Sequence, residues 1–328
     1  MTKILVIRFS SIGDIVLTSP VLRGIKTQLN SVELHVLTKY QYAILFNSNP
    51  HVDKIHTWGK ENKEVIENLK NENFDYVIDL HKNIRTAKIK NHLKSKSYSF
   101  PKLNVEKWTY VNFKWNLLPD VHIVDRYFEA VKNLGVKNDQ QGLDYFIPEN
   151  DQINLIENFQ TDKIIAVALG AQFATKRLPS EKLSSILSGS ILPVVLLGGA
   201  EDQEIGEEII NRAENTTFFN MCGKLNLNQS ASVVRQAKVL LTHDTGLMHI
   251  ASAFDTPIVS VWGNTVPEFG MYPYKPGNKG NYSIHEVKGL SCRPCSKIGF
   301  QKCPKKHFKC MVDQDVEAIK KAINNYVP

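Results

Sequence analysis

The sequence predicts an α/β protein made of two doubly wound, mostly parallel sheets, and three observations carry that reading. Short apolar runs that suit buried strands alternate with segments whose apolar residues recur at helical spacing. Several of the runs end in glycine turns that lead directly into a helix, as at Gly13, Gly170 and Gly198-Gly199. The alternation stops at Gly142-Leu143-Asp144-Tyr145-Phe146-Ile147-Pro148 and then starts again. The expected division is therefore 1–145 and 146–328.

The elements follow in order. Ile4–Ile7 reads as the first strand and 15–29 as helix, with Pro20 marking a kink or a restart. Leu34–Leu37 is the next strand. Glu64–Leu69 is expected as helix, Tyr76–Leu80 as strand and Ile84–Leu93 as helix, and Val124–Leu134 keeps helical spacing. In the second half Ile164–Leu169, Pro193–Leu197, Val239–Thr242 and Ile258–Val261 are expected strands. Ser180–Leu187, Glu201–Ala213, Ser230–Gln236, Leu247–Ala253 and the closing Val316–Tyr326 are expected helices. The segment 313–326 is a candidate to pack back toward the N-terminal half. Open parallel sheets bind ligands at the carboxyl ends of their strands, and two facing sheets would create an interdomain cleft.

Composition narrows the class. The 328 residues are 42% hydrophobic with a net charge of +7, and no apolar run is long enough to span a bilayer. The chain starts directly on a strand without a secretory signature, which places it in the cytoplasm. Its charge is unevenly spread. Residues 82–114 hold nine Lys/Arg and one acid, Glu106, and residues 288–309 hold seven Lys/Arg and no acid. Such runs are ordinary solvated surface or attract polyanions such as anionic lipid or a phosphorylated glycolipid. No recognition-helix or RNA-binding aromatic signature accompanies them, so nucleic acid is not an expected partner.

Four turns carry the candidate chemistry. Asp14 follows the first strand, as either a first-turn helix acid or a base at the mouth of a cleft. In the second half Thr242-His243-Asp244-Thr245-Gly246-Leu247-Met248-His249 runs from a buried strand into a helix, whose free N–H groups suit a diphosphate. Gly246 permits close backbone approach, while His249 alone would more often be a packed core group. After Gly170, Thr175 offers a hydroxyl and Lys176 a mobile cation to phosphate oxygens. The acids after Gly198-Gly199 are ribose-binding candidates or simple helix-start acids. No GxGxxG, P-loop, H-E-x-x-H or Asp-x-Asp pair in a likely loop is present, so phosphate charge falls to Lys176 and helix-terminal N–H groups rather than to a divalent cation. Cys292, Cys295, Cys303 and Cys310 put four thiols in 19 residues at C-x2-C-x7-C-x6-C spacing. That spacing is compatible with a structural zinc site, free thiols being the alternative, and Cys222 stands alone.

Three stretches in combination resemble glycosyltransferase family 9, the lipopolysaccharide heptosyltransferases. They are R-F-S-S-I-G-D-I-V-L-T-S-P-V-L-R, F-D-Y-V-I-D-L-H-K-N-I-R and D-T-G-L-M-H-I-A-S-A-F-D-T-P-I-V-S-V-W-G. The resemblance implies a GT-B fold, with two Rossmann-like domains whose parallel sheets face an interdomain cleft. It also implies inverting, metal-independent transfer of heptose from ADP-heptose to the Kdo–lipid A inner core by an enzyme peripheral to the inner membrane. On that basis the catalytic aspartate is Asp14 and the phosphate-binding lysine Lys176. Donor binding falls to Gly170, Thr175, Asp244, Thr245, Gly246, Leu247, Met248 and His249, with Glu201 and Glu204 as ribose candidates. Acceptor binding falls to Ser10, Ser11, Gly13, His81, Lys82 and Arg85. The chain departs from many relatives in its A-L-G-A-Q turn and in Asn264. The alternatives are a transferase or GT-B epimerase acting on another nucleotide sugar, and a non-catalytic nucleotide-sugar or polyanion binder.

Overall fold

The computed structural model describes residues 1–59, 62–277 and 281–327. The chain forms two compact units, Met1–Leu103 with Val121–Phe146, and Asn104–Asp120 with Ile147–Pro328.

The first unit is a five-stranded sheet. Its strands are β1 (Thr2–Ile7), β2 (Val32–Lys39), β3 (Lys54–Trp58), β4 (Tyr76–Asp79) and β5 (Lys96–Ser99), in the order β3-β2-β1-β4-β5 with every pairing parallel. Chain direction across the sheet reverses between β1 and β4, where Ile7 lies opposite Asp79. Ligands bind beyond the carboxyl ends of the strands at such a point. Leu5, Ile7, Leu37 and Val77 pack with Phe9, Leu69, Phe74 and Ile89 to form a core on one face. Two helices follow β1, Ile12–Val16 and Ser19–Gln28. Pro20 sits in the first turn of the second, so the expected kink is a restart, at a position where a missing N–H costs nothing.

The second unit is a six-stranded parallel sheet. Its strands are β6 (Ile165–Ala168), β7 (Val194–Leu197), β8 (Phe218–Asn220), β9 (Val239–His243), β10 (Ile258–Trp262) and β11 (Tyr282–Glu286), in the order β11-β10-β9-β6-β7-β8. Here the order reverses between β6 and β9. Alternate residues of these strands feed two separate cores. Ile165, Val167, Val194, Leu196 and Leu241 face one way, and Ala166, Ala168, Val195, Leu197 and Leu240 the other, as burial on both faces demands. The closing helix Val316–Asn324 packs on helix Ser180–Leu187, with Ile319 and Ile323 in the core of this unit. Helix Asn104–Phe113 also clusters with this unit and sets Tyr110 edge-on to Phe269 at 6.1 Å.

One buried cation ties the last stretch of the first unit to its sheet. Arg23, 7% exposed, donates to both carboxylate oxygens of Asp139 at 2.8 Å, to the Gly142 carbonyl at 2.9 Å, and to Asp144. Planar bidentate pairing of this kind suits arginine and not lysine. Arg23→Ala is expected to destabilise the first unit by about 3 kcal/mol, the lower end for a broken buried pair because the acids retain some solvent contact. Chemical denaturation measures this, and a loss below about 0.5 kcal/mol would place Arg23 among ordinary surface residues.

Candidate functional site

In the first unit the chemistry gathers where β1 and β4 part. Asp14 lies in the first turn of helix Ile12–Val16. Its Oδ1 meets Arg8 Nη2 at 2.6 Å, and its Oδ2 accepts from the Ser11 hydroxyl at 2.8 Å and the Ser11 N–H at 3.1 Å. Its side chain is 24% exposed, so solvent reaches the carboxylate. Arg8 is buried. It also donates to the carbonyls of Ser10 and Leu80, which joins the loop after β1 to the loop after β4. His81, the second residue past β4, packs edge-on to Phe9 at 5.3 Å, and its Nδ1 is buried without a hydrogen-bond partner. Burial first, then the charges of Arg8 and Lys102, push its pKa down to about 4, so His81 is a neutral hydrogen-bonding group. Gly13 is buried, while Ser10 is half-buried and Ser11 exposed. Lys82 turns its ammonium back onto the Phe100 carbonyl at 3.0 Å, and Arg85 lies over the Phe9 ring at 5.6 Å.

In the second unit the chemistry gathers where β6 and β9 part. Lys176, from the loop after β6, meets Asp244 Oδ2 at 2.6 Å, and Asp244 follows β9. Thr265, beyond β10, donates to the same oxygen at 2.9 Å. Thr245 is the N-cap of helix Gly246–Ser252, and its hydroxyl lies 3.3 Å from that of Thr242. Gly246 and Leu247 are half-buried at the helix start, while Met248 and His249 are buried. Thr175 does not offer its hydroxyl to a ligand here. Its Oγ1 donates to the Phe300 carbonyl at 3.0 Å and accepts from the Phe300 N–H at 2.8 Å, so the group anchors the loop that carries Lys176. His243 accepts from the Leu178 N–H at 3.0 Å and pins the far end of that loop.

Gly170 has a packing role. A Cβ there would lie 2.6 Å from Asp202 Oδ2, and one at Gly198 would lie 2.7 Å from it. Asp202 is fully buried, pairs with Arg177 at 3.0 Å and accepts from the Gly199 N–H. Glu201 and Glu204 are both exposed beside it. The tail thiols are all free; Cys310 is buried in the core, and Cys292 lies 3.8 Å from His307 Nε2. Among the described residues Cys292, Cys295 and Cys303 all lie near enough to act electrostatically on the Cys310 thiol, though no three of the thiols come within 4.8 Å of one another.

A family model described as glycosyltransferase family 9 (heptosyltransferase) matches residues 63–299. The chain belongs to glycosyltransferase family 9. It is similar to lipopolysaccharide heptosyltransferase 1 of Escherichia coli K12, at 26% identity over 293 residues that cover 81% of this chain and 89% of that one. Among solved structures it resembles a family 9 glycosyltransferase of Veillonella parvula, at TM-score 0.78 and 20% identity over 99% and 97% of the two chains. It also resembles E. coli ADP-heptose lps heptosyltransferase II, at TM-score 0.73 and 19% identity over 99% and 98%. The fold of this glycosyltransferase is thus GT-B, and the chain is an enzyme of the lipopolysaccharide-core heptosyltransferase family.

Sequence reasoning about this family 9 chain missed the partners that hold the named groups: Arg8, Thr265, Arg177 and Asp202. Each acts across 6 to 72 residues of sequence, so spacing alone does not reveal it. A buried-strand residue that is charged, as Arg8 is at the end of I-L-V-I-R, was the available signal.

Burial, then Arg177, pushes the pKa of His243 down to about 4. Its folded pKa lies below its unfolded one, so the unfolded chain takes up the proton first. The stability that neutral His243 contributes is present above about pH 6.5 and declines as pH falls toward 4, by up to about 1.4 kcal/mol per unit. Denaturation midpoints between pH 7 and 4.5 should show this fall, and His243→Gln, which keeps an acceptor for Leu178, should make it shallower, with His81 supplying part of the remainder. An unchanged slope in that variant would assign the titration elsewhere.

Proposed function

We propose that the enzyme transfers heptose from ADP-heptose to the inner core of lipopolysaccharide in one inverting displacement that needs no divalent cation. The observation that carries this reading is the matched placement of two ion-paired sets. Asp14 with Arg8 stands at the switch point of the first sheet, and Lys176 with Asp244 at that of the second. The first supplies a base and the second a cation for a leaving diphosphate. That division of labour is what a single displacement from a nucleotide sugar needs.

In this mechanism Asp14 takes the proton of an acceptor hydroxyl as that oxygen attacks the anomeric carbon. Arg8 and Ser11 hold the carboxylate in one orientation, and His81 with Arg85 contacts the acceptor. Negative charge grows on the β-phosphate as ADP leaves. Lys176 meets it by exchanging Asp244 for phosphate oxygens, helped by N–H groups of Thr245, Gly246 and Leu247. Lys176 and these N–H groups supply the countercharge that a divalent cation would otherwise bring. Turnover should therefore survive EDTA. Asp14→Asn is expected to lower turnover by about 10²–10⁴-fold with donor affinity unchanged. Wild-type turnover in that variant would remove Asp14 as the base. In a thermal-shift series ADP-heptose should stabilise the protein more than UDP-sugars do, by about 2.7 kcal/mol at 100 times its dissociation constant. Preference for another nucleotide sugar would reassign the donor.

The acceptor's lipid anchor calls for a membrane-facing surface, and helix Asn104–Phe113 with the turn after it has the chemistry of one. No helix among the described residues is long and apolar enough to cross a membrane. Val105, Trp108, Phe113, Trp115 and Leu117 are exposed, and the Phe113 ring meets Trp108 edge-on at 5.4 Å and lies tilted against Trp115 at 5.6 Å. Lys107, Tyr110 and Lys114 occupy the other face: Lys107 lies over the Phe269 ring, and Lys114 donates to the Pro294 carbonyl at 2.7 Å. Bare aromatic rings of this kind fit the headgroup layer of a bilayer. This surface supports a peripheral location at the inner membrane. Binding to anionic vesicles should weaken with salt. Trp108→Ala with Trp115→Ala should weaken it further, by roughly tenfold or more, since each buried aromatic contributes about 1.5–3 kcal/mol. Vesicle binding that is indifferent to both changes would leave these rings as plain surface.

A further inference from the structure

At the other end of the first sheet, beside the amino-terminal halves of β2 and β3, lies a cluster that the transfer chemistry does not use. His35 on β2 and His56 on β3 point to the same face, two positions apart in the parallel register. His35 is fully buried and His56 is 8% exposed. Their facing nitrogens, His35 Nδ1 and His56 Nε2, stand 3.0 Å apart. A carboxylate oxygen of Glu72, just past helix Asn62–Asn71, completes a triangle in which all ligand atoms lie within 4.8 Å. Phe74 walls the pair edge-on, with its ring 5.2 Å from that of His35.

The tautomer matters here. The other nitrogen of His35, Nε2, is 2.8 Å from Glu33 Oε1. A carboxylate can only accept, so Nε2 carries a proton, and Nδ1 is the nitrogen that faces His56 and is placed to ligate. A carboxylate placed behind a histidine in this way orients a metal-ligating imidazole. Two nitrogens at 2.0–2.1 Å from one tetrahedral ion stand about 3.3 Å apart, so the rings need to open by only about 0.3 Å. We propose that His35, His56 and Glu72 form a structural site for a divalent transition-metal ion of the zinc type, with Glu33 as the orienting carboxylate. Two imidazoles and one carboxylate suit zinc and leave a fourth position for water, which the partial exposure of His56 and Glu72 can admit. The ion joins β2, the edge strand β3 and the end of a helix.

Without metal, the Glu72 carboxylate is held by Lys3 at 2.8 Å and by Lys54. The Lys54 side chain is 52% exposed and can turn into water, which frees one oxygen for the ion while Lys3 keeps the other.

The test uses the full, tag-free chain, stripped with chelator and titrated with ZnCl2 against a chromophoric competitor, with CoCl2 as the spectroscopic probe. We expect one ion per chain at this site, a cobalt spectrum of nitrogen and oxygen ligands without thiolate charge transfer, and a raised melting temperature. His56→Ala should abolish the binding. Glu33→Gln, which touches no metal, should weaken it about 10–100-fold and keeps the test alive if His56→Ala fails to fold. A Cys292→Ser/Cys303→Ser variant should bind as the wild type does. Absence of zinc binding, binding unchanged by Glu33→Gln and His56→Ala, or binding lost with the thiols would each overturn the assignment. The outcome is independent of heptose transfer, because the readout is metal occupancy and not turnover.

Discussion

A buried guanidinium holds the working end of the first sheet together. Arg8 stands where β1 stops and reaches the backbone after β4 as well as Asp14. Taking that charge out of water is costly, and its partners offset the cost: one carboxylate, two carbonyls and the face of Tyr127 at 5.7 Å. The second unit uses the same construction with different residues. Lys176, past β6, is paired with Asp244, past β9, and Arg177 reaches sideways to Asp202 past β7. In both sheets the strands that diverge at the switch point are stitched by a cation from the central loop to a group on its neighbour. The opening that parallel topology leaves there is thus lined with charge of fixed position.

Much of this is legible in the sequence, for a physical reason. Central parallel strands are buried on both faces, so I-L-V-I, I-A-V-A and V-V-L-L stand out as unbroken apolar runs. Edge strands are half-solvated and carry no such run. β3 reads K-I-H-T-W, β5 K-S-Y-S and β11 Y-S-I-H-E, and all three escape detection by hydrophobic pattern. Helix Asn104–Phe113 escapes because its exposed side is aromatic and its inner side carries lysines, the reverse of a globular surface helix.

For the site, the turns after apolar runs put Asp14, Lys176 and Asp244 just past strand ends, where parallel sheets present side chains. What those turns do not encode is which hydroxyls and glycines serve the scaffold. Thr175 looks like a phosphate ligand by position, yet its hydroxyl makes two bonds to one distant backbone unit. Gly170 looks like a ligand-approach glycine, yet it leaves room for a buried aspartate. Only tertiary contact separates these cases, since a short polar residue and a small one suit either use.

The strap between Thr175 and Phe300 spans 125 positions. During vectorial synthesis the lysine-bearing loop leaves the ribosome long before the residue that clasps it. Contacts of such separation close late, since a large stretch of chain must be ordered first. The loop that carries Lys176 is therefore among the last pieces to set, and a nascent chain arrested before its cysteine-rich end would carry a complete first sheet and an unanchored lysine loop.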